Sequence, residues 1–330
     1  MSTEVTPTDV TPLQELAPQA APFDGLGHPI KGPRALTDDW ARFWHLTYNI
    51  ARNEFKLKFF GSALGYVWQV MRPLLLFGVL YVFFVVISHV GGNGHPGEAF
   101  YGVQLLGSIV LFGFFGEATS GAVRSVVDRE NLVRKIQFPR LVIPLSITLL
   151  AFFNLAMNLV VVLIFGLISG VRPMLSWIEL PLILAMLVVF STGIAMWLSA
   201  MFVKFRDIQP IWEVFSQILF YASPLIIPAE TVRNDLSHGQ RHEFVLNGVH
   251  HVVYKHVLLY HILWHIYLLN PLVTVFQQFR HAMVNHATLS VGQLLGGWIY
   301  LLEPIGVVAL TFVIGFWVFN RSAPSVAENL

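Results

Sequence analysis

Long apolar runs dominate this chain of 330 residues. Several extend for at least about 18 residues, the length a helix needs to cross the hydrocarbon core of a bilayer. Only 12% of residues are charged and 55% are hydrophobic, with mean hydropathy +0.64. A soluble domain carries about 25% charged residues. The fold class is therefore an all-α polytopic membrane protein. Cysteine is absent, which excludes disulfides, thiolate metal sites and cysteine nucleophiles.

Six spans are expected, at about 64–88, 101–124, 144–169, 178–202, 208–227 and 296–319. The basic residues orient them. Lys31, Arg34, Arg42, Arg52, Lys56, Lys58 and Arg72 precede or open the first span, and Arg124, Arg129, Arg134, Lys135 and Arg140 lie between the second and third. Lys204, Arg206 and Arg321 fall on the same side, whereas the other side holds only Arg172, Arg233, Arg241, Lys255 and Arg280. The positive-inside rule places both termini in the cytoplasm of a cell-membrane protein. Residues 1–35 are acidic, lack an apolar core and read as a disordered cytoplasmic tail, with a second short tail at 321–330.

An amphipathic helix is expected over 36–60, with Thr37 as its cap and Asp38 and Asp39 at the positive end of its dipole. Trp40, Phe43, Trp44, Ala51 and Phe55 recur at helical spacing, and Arg42, His45, Asn49, Arg52 and Lys56 recur on the opposite face. Such a helix lies in the membrane interface, with Arg42, Arg52, Lys56 and Lys58 toward headgroups and Trp40 inward.

The segment 228–295 is not simply polar. Its stretch 256–276 is apolar but broken by Asn270–Pro271. This is either a segment that enters the outer leaflet and returns, or a seventh span. Nine of the 13 histidines lie in 238–286. The pairs His238/His242 and His261/His265 have a spacing that can put two imidazoles on one helix face, but no third ligand is fixed by the pattern. No metal site is assigned.

The link at 128–143 is short and basic, with an apolar stripe at Leu132, Val133, Ile136 and Phe138 and exits set by Pro139 and Pro144. Two readings suit it: a helix docking in the groove of a cytoplasmic partner, or a set of basic anchors in headgroups. None of the six lysines is followed by Ser or Thr, so no Walker A loop is present to bind ATP.

In ordered blocks over about 50–285, the sequence resembles the transmembrane subunit of ABC-2 type exporters of polysaccharides, O-antigens and teichoic acids. KLKFFGSALGYVWQVMRPLL (56–75) and FFGEATSGAVRSVVDRENLVRKIQFPRLVIPLS (114–146) carry most of the likeness. KFRDI (204–208), SPLIIP (223–228) and LNPL (269–272) follow in order, and VAENL at 326–330 is a weaker echo. Phe60 stands where the family commonly has a basic residue and Arg72 where a neutral amide is frequent; the 229–256 loop is longer and richer in histidine.

The resemblance implies an ABC-2 (type V exporter) fold over 61–320, with six transmembrane helices and re-entrant outer gate helices between spans five and six. It implies a homodimer working with two copies of a separate ABC ATPase, which uses ATP and Mg. This chain itself would bind no cofactor and be no enzyme. The substrate implied is a lipid-linked glycan of O-antigen or galactan type, with a polyol-phosphate polymer as the alternative. A membrane-embedded glycan-lipid transferase is a more distant reading, because Glu230, Asp235 and Glu243 show no metal spacing. Membrane lipids are further partners, and nucleic acid is not.

In that frame, Asn131, Leu132, Val133, Arg134, Lys135, Ile136, Phe138 and Arg140 form a coupling helix (about 128–140) docked on the ATPase. Arg72 meets the substrate diphosphate, since guanidinium suits phosphate bidentately. Glu117, an intramembrane acid, either belongs to the substrate path or makes a structural hydrogen bond at the gate or dimer core. Tyr66, Trp68, Tyr81, Trp212, Phe220 and Tyr221 line a path on which sugars stack. Asn270 and Pro271 mark the bend of the outer gate.

Overall fold

The computed structural model describes residues 40–61, 65–87, 100–129, 139–238, 241–246, 249–254, 257–283, 288–297 and 301–322. The described residues belong to the unit Pro33–Leu330. They are mostly helical, and five helices among them are long and apolar enough to cross a membrane.

The first helix, α1 (Trp40–Phe59), matches the expected amphipathic segment. Its buried stripe is Phe43, Thr47 and Ala51, and Thr47 Oγ1 donates to Phe43 O at 2.9 Å. Trp40, Trp44 and Tyr48 stay exposed on a neighbouring stripe. The first apolar helix is α2 (Val67–Tyr81), continued by a π-helical turn Val82–Ile87. Helices α3 (Tyr101–Val123) and α4 (Val142–Ile168) then fall within two residues of their expected bounds. A 3₁₀ turn, Leu175–Glu179, leads into α5 (Leu180–Lys204), with Pro181 in the first turn, where its missing N–H costs nothing.

The expected fifth span departs from its prediction. Helix α6 covers only Ile208–Ala222, and 208–227 is not among the five long apolar helices. At 15 residues it is about 22 Å long, short of the roughly 30 Å of hydrocarbon. The stop has a local cause: Ser223 precedes Pro224 and is extended, with φ −104° and ψ 152°. The last span also shifts: α11 runs Leu302–Ser322 rather than from 296. Gly296, at φ 90°, instead ends the short helix α10 (Val291–Leu295), which Ser290 and Gln293 open with a reciprocal capping box.

Between α6 and α10 lie α7 (Ala229–His238), an antiparallel hairpin of β1 (Arg241–Leu246) and β2 (Val249–Tyr254), then α8 (Val257–Leu268) and α9 (Pro271–Met283). The hairpin pairs Arg241 with Tyr254 and Leu246 with Val249. It was not expected. His238 ends a helix while His242 lies on a strand, so that pair does not share a helix face. The apolar 256–276 stretch is two helices meeting at Asn270 rather than one continuous span. Residues 1–39, 130–138 and 323–330 lie outside the described residues, and with them all of the expected coupling stripe, whereas Arg321 and Ser322 of the expected second tail end α11.

The core is built where α3 packs on α4 and α5, with Leu111, Phe115, Leu155 and Leu187 fully buried. α1 runs along α4, with Phe153 held edge-on by Tyr48 and Phe55. α11 runs along α5, and there the two backbones come close: a Cβ on Gly193 would sit 2.8 Å from Phe312 Cα, and one on Gly315 would collide with Gly193 O. Lipid gives helices no hydrophobic reason to associate, so such small-residue contacts carry the packing. Gly306, on the same α11, has open space at its Cβ position. Gly315→Ala is therefore expected to cost at least about 1 kcal/mol by overpacking, while Gly306→Ala is neutral. Thermal unfolding of the two purified variants checks this, and equal midpoints would refute the close crossing.

Candidate substrate-path cavity

A cavity of about 410 Å³ opens between α2, α3, α4 and α6. Its apolar wall includes Leu76, Ile109, Phe112 and Leu155, and its polar groups are Gln69, Arg72, Glu117 and Asn158. Phe220 closes one side, edge-on to Phe112 with ring centroids 5.1 Å apart. Three residues named from sequence as path-lining, Arg72, Glu117 and Phe220, thus meet in one place. Helix geometry explains the grouping: Gln69, Arg72, Pro73 and Leu76 recur every three to four residues on one face of α2, as do Ile109, Phe112, Gly113 and Gly116 on α3.

Glu117 is fixed rather than free. Lys58 Nζ donates to its Oε1 at 2.5 Å, and Asn154 Nδ2 donates to the same oxygen at 2.7 Å. Lys58 was expected to face headgroups; the packing of α1 along α4 carries it instead to the carboxylate on α3. A second ion pair, Arg129 with Glu54, ties the turn after α3 to α1. The amide oxygens Asn154 Oδ1 and Asn158 Oδ1 are buried without a partner. Of these two amides, only Asn158 lines the cavity, and its Oδ1 is itself shut away from the open space. Arg72 is exposed and, among the described lining residues, is the one arginine or lysine.

The remaining aromatic candidates separate into two groups. Trp212 is 4% exposed and packs beside Phe115, inside the core rather than on the cavity wall. Tyr81 packs against Phe77 and over Gly102. Tyr66, Trp68 and Tyr221 are exposed on the α2 and α6 side, Tyr66 against Phe55 and Tyr221 against Phe220. Exposed apolar side chains surround them, among them Val79, Val82, Ile218 and Phe215.

Arg140 is the one expected coupling residue that is described. It is not on a basic rim: it is 2% exposed, and its Nη1 has no hydrogen-bond partner. Burial holds its guanidinium below the usual arginine range.

At the outer bend, Asn270 acts as the cap of α9. Its Oδ1 accepts from Leu272 N at 3.0 Å, and Pro271 takes the first helical position. Asn270 Nδ2 donates to Ser223 Oγ at 3.1 Å, which ties the bend to the end of α6. Sequence reading missed the cluster beside it. Glu230 on α7 accepts from Arg280 Nη1 at 2.8 Å, from Gln277 Nε2 at 2.7 Å and from Leu289 N at 3.2 Å. The partly buried ion pair pins α7 to α9. Its sequence signal is weak, because the partners lie 47 to 59 residues apart. Among the described residues no three His, Asp or Glu side chains gather as a metal site. His281 Nδ1 lies 2.7 Å from Thr288 O, a contact that holds loop and helix together.

Comparison with known proteins agrees with this geometry. Residues 45–236 match the model of the family described as ABC-2 type transporter. An O-antigen export system permease protein, RfbA, of Klebsiella pneumoniae is 26% identical over 57% of this chain and 71% of its own length. An RfbA permease of Myxococcus xanthus is 25% identical over 58% and 71%. The matched stretch spans more than half of the chain and contains every residue that lines the cavity. This multi-pass chain belongs to the ABC-2 type transporter family.

Proposed function

We propose that this chain is the permease of an ATP-driven exporter that moves a lipid-linked polysaccharide out of the cytoplasm across the cell membrane. The observation that carries the reading is the cavity that joins Arg72 and Asn158 to the Phe112–Phe220 pair. A lipid-linked glycan has a diphosphate and a string of sugars. Arg72 supplies a bidentate donor for phosphate. The Asn158 side chain adds a polar group to the wall, and the rings stack on sugar C–H faces without holding any one unit firmly. The relatives named for O-antigen export point to the same substrate class.

Arg72, the one basic residue among the described lining, suits one diphosphate per chain better than a polymer with phosphate at each repeat, and Lys58 is already paired with Glu117. This favours O-antigen or galactan chemistry over polyol phosphate. The uncovered aromatics of α2 and α6 flank the cavity, so a second copy set against them would close a homodimeric channel. Tyr66, Trp68 and Tyr221 would then line it. α1 would lie at the cytoplasmic interface, its exposed Trp40 and Trp44 in lipid; α8 and α9 would dip into the outer leaflet as the gate; and α6 with its following residues would complete a sixth crossing. Both termini are cytoplasmic in this reading. With no Walker A lysine in the sequence, energy would come from two copies of a separate ABC ATPase using ATP and Mg, docked on the segment 131–140.

Three outcomes are expected. Arg72→Gln should assemble with the ATPase yet lose most of the ATP hydrolysis stimulated by lipid-linked glycan, by about tenfold if one charge-assisted phosphate contact is lost; full stimulation and export would remove Arg72 from the path. An Ile136→Asp, Phe138→Asp double variant should lose the ATPase in co-purification at unchanged membrane yield, and retention of the ATPase would reject the docking role. Glu117→Gln should cost stability by about 1 kcal/mol or less, since the Lys58 pair is partly exposed, and leave stimulated hydrolysis intact. A Lys58→Met/Glu117→Gln double-mutant cycle measures that coupling, and loss of stimulation with unchanged stability would make Glu117 part of the path instead.

A further inference from the structure

A second cavity, of about 660 Å³, lies between α5, α9, α10 and α11 and shares no lining residue with the first. That is within the range of about 300–1,000 Å³ typical of small-molecule sites. Its long wall is apolar, formed by Leu182, Met186 and Val189 on α5 and by Ile305 and Val308 on α11. These residues occupy the opening turns of both helices, whose other ends carry Lys204 and Arg321. The crevice therefore sits in the leaflet away from those basic ends.

Its polar groups concentrate at α9, α10 and the start of α5. Glu179 accepts from Gln278 Nε2 at 2.6 Å, and Gln278 Oε1 accepts from Val291 N at 3.1 Å. This chain holds the carboxylate at the cavity mouth. No lysine or arginine among the described residues forms an ion pair with it. A carboxylate at the edge of hydrocarbon without a counter-ion is costly, and an amide donor offsets only part of that cost. The site has an apolar slot for a chain and, at its end, a negative charge that no described lysine or arginine matches.

We propose that this crevice binds a glycerophospholipid: one acyl chain fills the α5–α11 slot, and a primary ammonium in the headgroup meets Glu179. The inference rests on the membrane-spanning reading and not on the transported substrate, so export can fail as a reading while this holds. Anionic headgroups are disfavoured at the same place by like charge.

Native mass spectrometry of the full-length protein in detergent, titrated with dioleoyl phosphatidylethanolamine or dioleoyl phosphatidylglycerol, tests it. The wild-type chain should bind one ethanolamine lipid about fivefold more tightly than the glycerol lipid, the size of a partly exposed ion pair. Glu179→Gln keeps the shape and a hydrogen bond to Gln278 but should bring the two lipids within twofold. Ala185→Trp, which fills the slot, should abolish the retained lipid. Equal binding of both lipids by the wild-type chain, or an undiminished preference in Glu179→Gln, would overturn the proposal. So would a lipid retained unchanged by a well-folded Ala185→Trp. If that variant misfolds, the isosteric Glu179→Gln comparison decides alone.

Discussion

In hydrocarbon an unpartnered backbone N–H or C=O costs several kcal/mol, and no water is there to take it. The structure is arranged around that constraint at each scale. The chain crosses as helices, and the hydroxyls within them bond back to their own turns. Thr119 donates to Phe115 O, Ser146 to Ile143 O, Thr192 to Val188 O and Ser199 to Met196 O. Such residues are polar in sequence yet cost the helix little, so α3, α4 and α5 can bury them. With hydrophobic attraction between helices cancelled by lipid, close contact must hold the bundle, and the glycine crossing of α5 and α11 provides it.

Polar groups that do not satisfy themselves locally mark the places with work to do. Near the α1 end, Lys58, Glu117 and Asn154 lock three helices beside the first cavity, leaving Asn158 and Arg72 to face it. Beside the α9 bend, Glu230, Gln277 and Arg280 fasten α7, α9 and the Leu289 loop, while Asn270 and Ser223 join that bend to the end of α6.

Five apolar helices were legible before any geometry because length and hydropathy suffice to set them. The fifth expected span was misjudged at its end: apolar character continues through Leu225, Ile226 and Ile227, but Pro224 forces Ser223 out of the helix. The hairpin was missed although Asn247–Gly248 is a hairpin-turn signal; the strands beside it, RHEFVL and VHHVVY, carry too many polar residues to show a clean apolar alternation. Of the aromatic candidates, Phe220 reaches the cavity and Trp212 does not. Composition treats the two rings alike, and only their facing sides on α6 separate them.

The sequence alone determined that this is a membrane-embedded helical chain with no Walker A pattern in the sequence given, since run length, charge distribution and the lysine contexts are one-dimensional properties. It also named Arg72 and Glu117 as residues to watch, because charge within an apolar span is expensive wherever it lies. Only the tertiary structure decided their roles. It gave Glu117 a lysine 59 residues away, buried Arg140, and set Glu179 beside Gln278 at an apolar crevice, with no counter-ion among the described residues. Partners so distant in the chain are chosen by how helices pack, and packing in lipid depends on side-chain shape at each crossing, which no count along the chain records.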